Sequence, residues 1–553
     1  MEDSNPITTS SPNEIGPFSQ DRTPKWFLIT AGLLALGVNA ATLSWRWRLP
    51  DDLIYTGFIQ YDLPYYCANA RELFENGNGL FYANPFSSDP QSPRFFSHLF
   101  ILLVGWTWRL TGLPLWLIFQ ALGVIFGFLM LWTAYRALAA FIAPGFERRA
   151  GALLILFGGG ITWLVALAQW PGCESGLAGC FKIIETPHAW WFLNVERNLL
   201  YPTETFYHTI FFLAILFYAQ GKYRLTALLV FLQWWSHSWT GLELNLILGA
   251  DAALRLLKRP GRPPAWFVGS LAATGAAFLG YHMFWLPRYP EMASLMEVWS
   301  AAKYEPAWWT LPCAYGALWI GASAAVFSKS VRDKILSESR TRFILVWALV
   351  VFALIHHHLV FGRSYQPMHF THGYLYFPLL LLTLIALHEL LKESSRAKKA
   401  LIWSIVALAS LPDNFIFLND AAFRTVPEDP LVVEKSRMAA LEFLQTIGER
   451  RTVLALPDYF GYQIALYTRH RPYIGHLYNT PLLGKKFRVL DKFMNECKVK
   501  TLTENGIELL AMPNSNRLPW EVMVHHGEIT QLYHNEGYSI YRVNGERASP
   551  QRK

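Results

Sequence analysis

Chemistry-bearing residues gather in four stretches of this chain. The first reads Gln60-Tyr61-Asp62-Leu63-Pro64-Tyr65-Tyr66, preceded by Asp51-Asp52 and followed by Ala70-Arg71-Glu72. It lies just beyond an apolar run, Trp26 to Trp45. A carboxylate at a membrane–water boundary can deprotonate an acceptor hydroxyl or hold a divalent cation against a lipid phosphate. Asp62 also stands where it could cap a helix starting at Leu63, with Pro64 in the first turn. The two roles are compatible. Asp51 and Asp52 read equally well as solvated interface charges.

The second stretch is Thr203-Glu204-Thr205-Phe206-Tyr207-His208, with Glu204 and His208 one helical turn apart on one face. Ionisable groups at the mouth of an apolar helix are costly and tend to face a polar cavity. The bland reading makes Glu204 part of an N-terminal cap and His208 a hydrogen-bonded core histidine. The third, from His356 to His372, holds Arg363, His369 and His372. An arginine fork suits phosphate, and neighbouring histidines add donors. Their spacing fits no metal-ligand rule. The fourth, Arg469 to Thr480, contains Gly475-His476 and Thr480. His237, between tryptophans 234, 235 and 239, reads first as part of an interface belt.

Of the 553 residues, 53% are hydrophobic and only 16% charged, with 23 tryptophans. A soluble domain carries about 25% charged residues, and several apolar runs here approach the roughly 20 residues that cross a bilayer. The composition excludes a soluble enzyme, a disordered chain and a disulfide-stapled domain. The net charge of +8 sits in short loops between apolar runs, where Lys and Arg report topology rather than nucleic acid. The five cysteines show no zinc-type spacing. There is no P-loop, dinucleotide fingerprint or Ser/His/Asp order.

The expected architecture is a polytopic α-helical membrane protein. A polar tail, 1–25, precedes a transmembrane region, 26–420, with a small α/β domain at 421–553. Spans are expected at 26–45, 114–138, 151–170, 206–220, 225–238, 240–256, 264–286, 313–328, 343–361, 373–391 and 400–418. Basic clusters at 148–149, 222–224, 255–262, 329–342 and 392–399 belong inside. They place the first loop, 46–94, and the C-terminal domain outside. Counting 95–112 as a span would put every later cluster on the wrong face. It is therefore expected to be an interfacial or re-entrant helix, leaving about eleven crossings. Failure of one short segment between 206 and 256 to cross would restore parity as well. In the outer domain, helices are expected at 434–450 and 485–496, with strands at 452–456, 507–512 and 538–543.

An acidic first loop after the first span, an outer-surface helix and a crossing with a basic inner end resemble the GT-C superfamily of integral-membrane glycosyltransferases. The resemblance covers roughly 26–420. It implies a polyprenyl-phosphate-linked sugar as donor and a first-loop aspartate as general base, matched best by Asp62 and next by Asp52. It implies that Glu204 assists, and that Arg363, His369 and His372 hold the lipid phosphate. His208, Arg71 and Tyr65 are the further substrate-binding candidates. Gly-His-x-x-x-Thr at 475–480 also resembles bacterial members of the superfamily. A divalent cation is compatible with this chemistry, no metal ligands are assigned, and the acceptor is unknown.

The expected function is thus sugar transfer to an acceptor hydroxyl on the outer face of a membrane, the bacterial inner membrane by preference. Two other readings stand beside it. One is a non-catalytic scaffold. The other is a lipid or solute transporter or flippase, for which Asp251 and Asn245 within 240–256 are the best support.

Overall fold

The computed structural model describes residues 22–76, 79–172, 180, 194–257, 262–301, 309–363, 365–422, 432–456, 458–516 and 523–544. It divides into two compact units, one formed by 1–40, 122–281 and 303–423, the other by 41–121, 282–302 and 424–553. The first loop falls in the same unit as the C-terminal segment.

Every expected span is helical. Helices run Lys25–Leu43, Leu115–Phe141, Pro202–Ala219, Tyr223–Ser236, Ser238–Leu257, Ala265–Gly280, Ser339–Ile355, Tyr376–Leu391 and Arg396–Ala422. The expected span at 151–170 is broken into Phe146–Phe157 and Thr162–Gln169, that at 313–328 into Thr310–Tyr315 and Ala317–Phe327, and that at 343–361 into Ser339–Ile355 and His358–Phe361. Among the described residues, length and composition qualify four helices as crossings by themselves, or five if the pair bent by 53° around 158–161 counts as one. The break at Gly158-Gly159-Gly160 lets backbone approach side chains closely: a Cβ on Gly159 would stand 2.7 Å from Asp413 Cβ. Residues 99–111 form a helix of 13 residues, short of the roughly 20 needed to cross.

In the first unit the apolar core is aromatic-rich. Trp347 is fully buried, with Phe211, Phe343 and Phe377 against it. Asp251 is paired within this core, its Oδ2 taking the Tyr218 hydroxyl at 2.6 Å and Arg255 Nε at 2.6 Å. Asn245 donates to the Leu271 carbonyl at 3.1 Å. The residues that best supported a transporter are thus occupied in fastening helices together.

The second unit is held by a two-stranded antiparallel ribbon. Strand β1 (Leu53–Tyr55) pairs with β2 (Val432–Glu434), Leu53 opposite Glu434. A five-stranded sheet follows, from β3 (Thr452–Ala455), β4 (Arg471–Pro472), β5 (Leu509–Pro513), β6 (Ile529–His534) and β7 (Tyr538–Val543). Its order is β4-β3-β5-β7-β6, parallel through β4, β3 and β5 and antiparallel beyond. Alternation along β3 and β5 builds two cores. Val453, Ala455, Leu509 and Ala511 meet Leu441, Leu444, Phe460 and Ile464 on one face. Leu454, Leu510 and Met512 meet Leu490, Phe493 and Leu502 on the other. The result is a sheet covered by helices on both faces, three layers in all. Strands β4 and β6 were not foreseen, β4 because two residues carry no periodicity.

Helix Leu63–Glu75 joins the loop to this domain. Buried Glu72 forms an ion pair with Arg450, and Ala68 packs with Tyr462 and Ala465 from helix Asp458–Tyr467. Helix Pro290–Ala301 adds Glu291, which accepts from Ser87 and Ser92, and Trp299, whose indole donates to the Tyr478 carbonyl at 2.7 Å.

Lys486, on the buried face of helix Leu483–Glu496, has no hydrogen-bond partner for Nζ among the described residues. Burial lowers its ammonium to about 8, against an opposing pull from Glu291 and Asp89. The unfolded chain, with lysine at about 10.4, keeps this proton at pH values where the folded chain has lost it, so stability rises as pH climbs from about 8 towards 10. Below pH 8 the cost is present in full. Lys486→Met is expected to be more stable than wild type by about 3 kcal/mol at pH 7, with the gap closing by pH 10. Denaturant unfolding of the purified protein at the two pH values measures it.

Candidate functional site

Asp62 directly precedes helix Leu63–Glu75, but its side chain makes no capping bond. Its own backbone is already in the right-handed helical region, with φ −81° and ψ −12°, whereas a capping residue is usually extended. The carboxylate turns elsewhere. Oδ1 lies 3.1 Å from His476 Nε2, and Oδ2 accepts from Gln60 Nε2 at 3.0 Å. The tautomer of His476 follows from its other nitrogen: Nδ1 accepts the Tyr478 backbone N–H at 3.1 Å, so Nε2 carries the proton and donates to Asp62. The imidazole side chain is buried (1% exposed), while Asp62 is 52% exposed. One partner is locked and the other is reachable.

The lock is built from local chemistry. The Gly475 N–H donates to Thr480 Oγ1 at 3.1 Å, and the Thr480 N–H returns to the His476 carbonyl at 2.8 Å. This closes the Gly-His-x-x-x-Thr stretch on itself. Aromatic rings enclose the imidazole: Tyr61, Tyr462 and Phe86 have centroids 4.7, 4.8 and 5.5 Å away. Tyr65 stands edge-on at 5.9 Å, its phenol raised to about 12, chiefly by burial. Tyr462 donates to the Tyr61 carbonyl at 2.9 Å, and the Tyr61 hydroxyl accepts the Leu477 N–H at 3.0 Å. Gly461 is required by packing, since a Cβ there would collide with the Ile474 carbonyl oxygen.

The remaining candidates of this unit are placed differently. Asp52 is exposed, and its carbonyl accepts the Lys435 N–H at 2.8 Å beside the ribbon. Arg71 is engaged by Glu75 at 2.7 Å and by the Leu466 carbonyl at 3.3 Å, with Trp108 under its guanidinium.

In the first unit, four sequence candidates converge. Glu204 Oε2 lies 3.2 Å from His372 Nδ1 and 3.8 Å from His208 Nδ1. His208 is fully buried, contacts the His372 carbonyl through Nε2 and stacks on Tyr374 at 4.3 Å. His369 lies beside His372, their rings 5.5 Å apart, and beside His237 at 4.9 Å. His237 ends helix Tyr223–Ser236, stacks on Tyr207 and binds Thr240 Oγ1 through Nδ1 at 2.7 Å. Arg363 is exposed, with no ion pair or hydrogen bond among the described residues. Among the described residues, no three His, Cys, Asp or Glu side chains are grouped so that they could hold a metal ion.

A buried network in the same unit escaped the sequence reading. Asp413, next to Pro412 inside helix Arg396–Ala422, pairs with fully buried Arg197 at 2.9 Å. It also accepts the Gly160 and Trp163 N–H groups, each at 3.0 Å, and so caps the broken helix Thr162–Gln169 from a distance. Asn414 bridges Arg197, Glu196 and Asn194. The available signal was Pro412-Asp413-Asn414 interrupting an apolar run, with Glu196-Arg197-Asn198 elsewhere.

No protein-family model and no curated protein matches the sequence. Solved structures do. The chain is similar to the arabinofuranosyltransferase AftD from Mycobacteria with TM-score 0.50 at 14% identity, over 96% of this chain and 40% of that one. It is also similar to the oligosaccharyltransferase AglB from Archaeoglobus fulgidus, in complex with an inhibitory peptide and a dolichol-phosphate, with TM-score 0.45 at 12% identity, over 96% and 75%. The chain thus spans about two-fifths of the length of AftD. The likeness to AftD is one of fold, and the apolar helices make the chain an integral membrane protein.

Because Asp62 does not cap its helix but accepts from the buried His476 Nε2, Asp62→Ala is expected to cost about 1–3 kcal/mol, the loss for a buried donor left unpaired. Chemical denaturation of the purified variant measures it, and a larger loss would reveal a structural role.

Proposed function

We propose that this protein is a membrane glycosyltransferase that moves a sugar from a polyprenyl-phosphate donor to an acceptor hydroxyl on the outer face, with Asp62 as general base. The observation that carries this reading is the carboxylate itself. It is open to solvent on one side and oriented on the other by a histidine that can only donate to it. Asp62 takes the acceptor O–H proton as that oxygen bonds to the anomeric carbon. The bond from that carbon to the phosphate oxygen breaks, and the polyprenyl phosphate leaves as an anion without needing a proton. Transfer therefore inverts the anomeric centre. Asp52 and Glu204 are the secondary acidic candidates. The resemblance assigns the donor phosphate to Arg363, His369 and His372, and the fold shared with an arabinofuranosyltransferase supports sugar transfer as the reaction class.

This reading keeps about eleven crossings, with the C-terminal α/β region outside and the bacterial inner membrane as the location. Arg71 has a different part in it. Its bidentate pairing with Glu75 fastens helix Leu63–Glu75 rather than offering a free fork to substrate.

General-base loss costs about 10²- to 10⁴-fold. Asp62→Asn is expected to slow turnover of polyprenyl-phosphate-linked sugar in membranes by that factor, with expression and unfolding midpoint unchanged. A scaffold or transporter would tolerate the substitution, so unaltered turnover would sink the proposal. His476→Ala is expected to reduce turnover by about tenfold, as loss of one orienting hydrogen bond of about 1.4 kcal/mol predicts. His476→Gln, which keeps a donor, should recover part of it.

A further inference from the structure

The loop that supplies Phe86 to the ring cage around His476 also borders a second polar feature of the same unit. A cavity of about 70 Å³ is lined by Arg94, Arg450, Arg471, Glu72, Ser87 and Asp89, among others. That is room for several waters or one tetrahedral oxyanion head, since a water needs roughly 10–15 Å³ of such space. Two of its three guanidinium groups make no hydrogen bond among the described residues: exposed Arg94 and half-buried Arg471. Arg450 spends its two terminal nitrogens on Glu72, and its Nε is buried without a partner. Burial and the neighbouring Arg450 both act against the charge on Arg471, which Glu72, Glu508 and Asp89 offset only in part.

Donors without a partner therefore border a partly open space whose lining holds three arginines and two carboxylates. Glu291 adds a third carboxylate at this wall, hydrogen-bonded by Ser87 and Ser92, so the unpaired guanidinium donors rather than net charge mark the cavity. Planar forks with unused N–H groups facing a small polar cavity match an oxyanion, phosphate or carboxylate. The cavity is tied to the Asp62 neighbourhood through one segment. Asn84, also on its wall, donates to the Asn479 carbonyl at 2.8 Å, and Asn479 follows His476 by three residues.

We propose that the cavity between Arg94, Arg450 and Arg471 is an oxyanion subsite that receives a phosphate or carboxylate group carried by the acceptor. The assignment to the acceptor rests on the transferase reading, whereas the binding of an oxyanion does not. Inorganic phosphate is the probe. With the full-length protein in neutral detergent, phosphate is expected to raise the unfolding midpoint saturably, against chloride at matched ionic strength. The apparent affinity should fall about tenfold in Arg471→Gln and in Arg94→Gln, the latter at an exposed rim position where folding is safe. Asp62→Asn should bind phosphate as wild type does, which separates failure of this subsite from failure of the transferase reading. Equal responses in wild type and both arginine variants would overturn the proposal. Vesicles of phosphatidylcholine with and without phosphatidylglycerol distinguish the source of the group. If phosphatidylglycerol competes with free phosphate in wild type but not in Arg471→Gln, the ligand is a lipid headgroup and the acceptor assignment fails. If it does not compete, the acceptor assignment stands.

Discussion

The hydrogen bond from His476 to Asp62 is the contact on which the second unit turns. It joins residues 414 apart in the chain and unites an open carboxylate with a closed imidazole. A hydrogen bond contributes only about 1 kcal/mol net, so it cannot hold the loop by itself. It depends on the ribbon of β1 and β2, the Glu72–Arg450 pair and the ring cage. Those contacts supply stability. The hydrogen bond uses that rigidity to aim one oxygen.

The membrane-spanning unit follows a different rule. Where the bilayer leaves no water to satisfy a broken helix, each interruption needs its own polar partners. At the glycine break near 158–160, Asp413 supplies a distant carboxylate to two backbone N–H groups, and Arg197 balances its charge. A buried pair of this kind is weak evidence for stability, because desolvation offsets much of the attraction. Its value lies in specifying which helices meet.

Much of the architecture was readable because it depends on local pattern. Apolar runs located the helices to within a few residues, and the short apolar runs within 452–456 and 507–512 announced β3 and β5. Crossing number was less legible, since glycines and prolines cut several runs into pieces shorter than a bilayer. The site was legible in its parts and not in its assembly. Glu204 with His208, and His369 with His372, carry helical spacing, but nothing local says that the two pairs meet. Asp62 stood out by its place after an apolar run, yet its neighbours favoured a cap. Only the long-range contact with His476 explains why the carboxylate abandoned that position. The Gly-His-x-x-x-Thr stretch was visible without a role, because its partner lies at the other end of the chain.

The ribbon has a consequence for biogenesis. Strand β1 emerges early from the ribosome, and its partner β2 is made only after every intervening hydrophobic segment. At roughly 5–20 residues per second, the partner arrives on the order of twenty seconds to over a minute later. Throughout that interval β1 offers an unpaired edge, the kind of surface that invites wrong partners. Truncation before Val432 would leave the Leu53–Tyr55 edge permanently unpaired.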